Sequence, residues 1–141
     1  MARTNLKLVS VLRTTAARLR SGVRYEWGHM GRCNAGHVVQ TLTGQDAGAI
    51  VRSVDFALDE WSEHAKEYCS GTGEKVEHLF LTMREAGLDH EDVVHLEYLS
   101  DRRVLARLPE EKRHLRHNQR DDVIVYLTTM ADMLEEELKA G

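Results

Sequence analysis

The stretch NQRDDVIVYLTTMADMLEEELK, residues 118 to 139, decides the class of fold. Val123, Leu127, Met130 and Leu134 follow one another at steps of four, three and four residues. A helix of 3.6 residues per turn gathers such positions on one side, and the acidic residues fall elsewhere on its surface. The spacing therefore predicts a long amphipathic helix with one face turned inward.

The same period recurs towards the N-terminus. Thr4 can cap a first helix in which Leu6, Val9, Leu12, Ala16 and Leu19 share a face, and Ser21-Gly22 closes it. From about Cys33 to Thr43, Ala35, Val38, Val39 and Leu42 define a second apolar face that Gly44 stops. Thr43 and Asp46 have capping-box spacing for a third helix whose stripe, Ala47, Ile50, Val51, Val54, Leu58, Trp61, Ala65 and Tyr68, is the strongest helical period in the chain. Ser70-Gly71-Thr72-Gly73 breaks it.

A fourth helix runs from about Glu74 to Ala86, with Gly87 and Leu88 placed as in a Schellman cap. Asp89 with Asp92 opens a short helix to Leu99, and Ser100 opens another that Pro109 limits. No run alternates long enough to suggest a strand, and no internal repeat stands out. The expected class is all-α: a compact bundle of three or four longer helices with short ones attached, in a single domain spanning residues 1–141.

Length and composition agree with this. A chain of 141 residues holds one ordinary core, and 42% hydrophobic with 30% charged residues is a globular composition. The longest apolar run near the C-terminus, Val123 to Leu127, is far below the ~18 residues of a membrane span, so no membrane partner is expected. Two cysteines make no disulfide framework, which points to a reducing cytoplasm. The acid-free first 25 residues share their composition with organelle transit peptides and equally suit a basic first helix.

The net charge of −4 hides a segregation. Residues 1–33 carry +6, residues 34–100 carry −9, residues 101–120 carry +4 and residues 121–141 carry −5. Such blocks satisfy one another inside a bundle or across a homodimer. The basic group Arg113, His114, Arg116, His117 and Arg120 has no interleaved aromatics and no recognition motif, which argues for a solvated or dimer-facing surface over nucleic acid.

The chemistry concentrates in WGHMGRCNAGH, residues 27–37, with three glycines, two histidines and a cysteine. The bland account makes Gly28 and Gly31 a turn and Gly36 a packing contact, with Trp27 and Met30 in the core. On a helical wheel, however, Cys33, His37 and Gln40 fall opposite the aliphatic face, which suggests a helix covered on both sides and a buried polar site.

Imidazole and thiolate are ligands for zinc and related transition metals, and His29, Cys33 and His37 repeat every four residues. His64, or an acid such as Glu60 or Glu63, would complete the shell. The favoured expectation is thus a metal site at His29, Cys33, His37 and His64. A second reading makes Cys33 the nucleophile of a thiol-dependent enzyme: a thiol at a helix N-terminus, with His37 one turn on and Asn34 as an oxyanion donor. A third is a metal-free helical module for protein–protein interaction. Cys69 reads most simply as core, and of the two Glu-x-x-His spacings, Glu26/His29 and Glu111/His114, the second reads most simply as a solvated face.

Overall fold

A computed structural model describes residues 5–27, 32–46, 48–49 and 77–140. Among them every regular element is helical: α1 (Leu6–Arg20), α2 (Asn34–Thr43), α3 (Glu77–Ala86), α4 (His90–Tyr98), α5 (Arg102–Leu105), a 3-10 turn (Glu110–Lys112) and α6 (Arg120–Ala140). The third helix expected from sequence, with His64 and Cys69, lies outside the described residues.

The helix ends follow local chemistry. Asn5 caps α1, its Oδ1 accepting from the Leu8 amide at 2.8 Å, in the place expected of Thr4, which is not described. Gly44 ends α2 at φ 72° and Gly87 ends α3 at φ 116°, both in the left-handed region that favours glycine. The Leu88 amide reaches back to the Met83 carbonyl at 2.8 Å and Gly87 to Arg84 at 3.0 Å, the expected Schellman pattern. Asp89 and Asp92 form the expected capping box of α4.

Three boundaries differ from the sequence expectation. Asp101, and not Ser100, caps α5, because its carboxylate reaches the Arg103 amide at 2.9 Å while Ser100 turns to the His95 ring. Asp46, and not Thr43, accepts from the amide three residues on, that of Ala49, since the Thr43 hydroxyl bonds back to the Val39 carbonyl within α2. The last helix begins at Arg120 and not at residue 118, residues 113–119 forming an irregular connection. There Arg113 donates to the carbonyls of Leu108 and Ala106, competing with helical pairing.

Helix α6 packs along α1, and α2 lies against α1, α3 and α4. The core they enclose includes Leu8, Leu12, Leu19, Val38, Leu96, Leu127 and Leu134, each essentially without exposure. Burying side chains of this size contributes about 1.5–3 kcal/mol apiece, offset by lost chain entropy. All four inward residues predicted on the last helix are buried. The buried face is wider than predicted, taking in Ile124, Tyr126, Ala131 and Met133 as well. Arg120 belongs to this joint too, donating to the Leu19 carbonyl at 2.7 Å at the C-terminal end of α1.

Candidate functional site

Cys33 stands just outside α2 as its N-cap, in extended backbone. Its Sγ accepts weakly from the Gly36 amide at 3.4 Å, and its thiol hydrogen points to Glu97 Oε1 at 3.1 Å. That same oxygen accepts from the Ala35 amide at 2.5 Å. Both side chains are wholly buried. A carboxylate is costly to bury, and here the exposed amides and positive end of α2 compensate part of the cost.

Asn34 extends this junction. The two hydrogens of its Nδ2 are shared among the carbonyls of Leu96, Glu97 and His117 at 3.0–3.1 Å. Two of those carbonyls belong to the end of α4, where a helix has no partners of its own for them. Asn34 Oδ1 accepts from the Tyr25 hydroxyl at 2.6 Å, and the Trp27 indole donates to the Glu97 carbonyl at 3.2 Å. The rings of Trp27, Tyr98 and His117 close over this end, with centroids 4.6–6.0 Å apart. The start of α2 is thus locked onto the end of α4 by polar contacts.

His37 turns to a different neighbourhood. Its Nε2 lies 2.9 Å from the Arg24 carbonyl, which can only accept, so the ring hydrogen sits on Nε2 and Nδ1 carries a lone pair. Nδ1 is buried and has no hydrogen-bond partner among the described residues. Burial first, and then the charges of Arg18, Arg120 and Arg32, push the ring down to a pKa of about 4 against a donation to Arg24 that opposes it. Tyr25 stacks beside the ring at 6.0 Å. The imidazole is therefore neutral at pH 7.

The residues singled out from the sequence divide accordingly. Cys33, His37 and Gln40 are all buried, as the helical wheel implied, but the hydrogen bonds of Cys33 and His37 go to separate partners. Asn34 spends its amide on carbonyls. His29 and His64, with Glu60 and Glu63, lie outside the described residues. Among the described residues, no three His, Cys, Asp or Glu side chains converge as a metal would require.

Glu97 was missed, although a pattern betrayed it. Val93 and Glu97 stand at i and i+4, so the face of α4 that buries Val93 carries Glu97 inward with it. Arg18 was also missed. It donates to Gln40 Oε1 at 2.6 Å, Thr41 Oγ1 at 3.1 Å and the His37 carbonyl at 3.3 Å, tying α1 to α2. No protein-family model, characterised protein or solved structure matches this chain.

Proposed function

We propose that the protein binds a transition metal ion, zinc being the simplest candidate, where Cys33 meets Glu97. The observation that carries this reading is the 3.1 Å approach of a soft sulfur donor to a hard carboxylate oxygen, both fully enclosed. On a tetrahedral zinc, with bonds of about 2.3 Å to sulfur and 2.1 Å to oxygen, two such ligands stand roughly 3.6 Å apart. The pair needs to open by only ~0.5 Å, and the thiol hydrogen leaves as the ion enters. His29, four residues before Cys33, is the proposed third ligand, and His64 or a nearby acid the fourth. Glu97 takes the place first given to His37, which does not converge with Cys33 and Glu97 into one ligand set among the described residues.

The burial of Cys33 favours a bound ion over the thiol-dependent enzyme, because a nucleophile must meet its substrate. The ion's purpose, structural or catalytic, depends on whether a coordination position stays open. Titration with cobalt(II) tests the site through thiolate-to-metal charge-transfer absorption. The band is expected to saturate near ~1 equivalent, to vanish in Cys33→Ser and to weaken in Glu97→Gln, while His37→Gln retains it. A cobalt-loaded protein without the band, or with an undiminished band in Cys33→Ser, would overturn the proposal and leave the contact as part of a metal-free interaction module.

A further inference from the structure

We infer that the groove between α1, the 21–27 segment and α2 is a binding site for a phosphomonoester. The groove has a volume of about 410 Å3 and is lined by Arg18, Arg24, Arg32, His37, Gln40 and Asp46 among others. A second hollow of about 360 Å3 shares Arg18, Gln40 and Asp46 and continues past Thr14, Thr41 and Gln45. Neither includes Cys33 or Glu97, so this inference is independent of the metal site.

Charge sets the class of ligand. Among the described residues Arg18 donates to neutral groups, namely Gln40, Thr41 and the His37 carbonyl. Arg24 and Arg32 lean on one and the same oxygen of Glu26, at 2.8 and 3.4 Å. Three guanidinium groups thus line a groove in which Asp46 is the acid among the lining residues. Burial does most to lower the His37 pKa, and Arg18 and Arg32 add to that from the lining of the groove.

Guanidinium forks match phosphate oxygens two at a time, and a phosphomonoester carries nearly two negative charges at neutral pH. A bare anion would leave most of the groove unfilled, since small-molecule sites span about 300–1,000 Å3. The Thr14 hydroxyl and the Gln45 amide suit a polar organic part extending into the second hollow, while the Thr41 hydroxyl is taken up by Thr15, Arg18 and the His37 carbonyl.

Calorimetric titration of the full chain with glucose 6-phosphate, inorganic phosphate and glucose, at one ionic strength set with chloride, tests this. Saturable binding of the ester is expected, weakened about tenfold in Arg24→Gln and again in Arg32→Gln, with circular dichroism confirming that both variants fold. These two are chosen because Arg18 also anchors α2. Inorganic phosphate binding as tightly as the ester would support the phosphate subsite and assign it to the free ion. Failure of both phosphates to saturate at millimolar concentration, equal binding of glucose, or unchanged affinity in the variants would overturn the inference.

Discussion

Cys33 caps α2 through its sulfur and donates its hydrogen to Glu97, so one substitution removes two interactions at once. Cys33→Ala is expected to cost about 1–3 kcal/mol in urea denaturation, because Glu97 loses a buried donor. Cys33→Ser, which can supply both the cap and the donor, should cost less. Equal stability of wild type and Cys33→Ala would show that the contact contributes nothing. Complete burial further implies slow alkylation of the native thiol, accelerating in denaturant.

His37 governs the acid limb in a definite direction. An unfolded histidine titrates near 6.5 and the folded ring near 4, so between those values the unfolded chain binds more protons. The stabilisation is fully present above pH 6.5 and is lost as pH falls towards 4. It amounts to at most about 3 kcal/mol. Denaturation at pH 7.5 and 5 should show the loss in the wild type and a flatter dependence in His37→Gln. A parallel loss in both would place the titration elsewhere.

Between elements, polar side chains specify how helices meet. Asn34→Ala would remove the donor that serves the end carbonyls of α4 and one of the acceptors of the Tyr25 hydroxyl, with an expected cost of about 3 kcal/mol by thermal denaturation. A cost below about 0.5 kcal/mol would mean that the junction rearranges freely. Gly44 poses a purely conformational test. A Cβ there meets nothing within 4 Å, yet φ is 72°, so Gly44→Ala should cost roughly 1 kcal/mol without any clash.

These junctions mark the boundary of what the sequence made legible. Gly44, Gly87 and the Asp89/Asp92 box were readable because each acts within one turn of its own helix. Asp101 was misread as Ser100 because two adjacent residues can cap and tertiary contacts choose between them: Tyr126 approaches the Asp101 amide at 3.2 Å. Glu97 escaped notice for a related reason. Its partners lie more than 60 residues away in sequence, and spacing shows which face a side chain takes but not what it meets there.

For the whole molecule, the basic blocks 1–33 and 101–120 both meet the acidic block 121–141 within one chain. Arg13 joins Asp132 and Glu135 at 2.9 and 2.6 Å, Arg107 joins Glu136 at 2.5 Å, and Arg103 approaches Glu137 at 3.8 Å. A homodimer built on these charges would have to compete with pairs already formed. Light scattering is therefore expected to give the mass of one chain with or without salt, and a salt-sensitive dimer would assign the blocks to self-association. The pairs themselves are largely exposed, so among the described residues the apolar core, to which α1 and α6 both contribute, outweighs them.

The central claim, that Cys33 and Glu97 hold a metal, is tested most directly by elemental analysis. The protein would be purified without a metal-affinity tag, beside Cys33→Ser and Glu97→Gln prepared identically. The account predicts ~1 equivalent of zinc or a related transition metal in the wild type and its loss from both variants. No metal in the wild type, or the same content in all three, would contradict it.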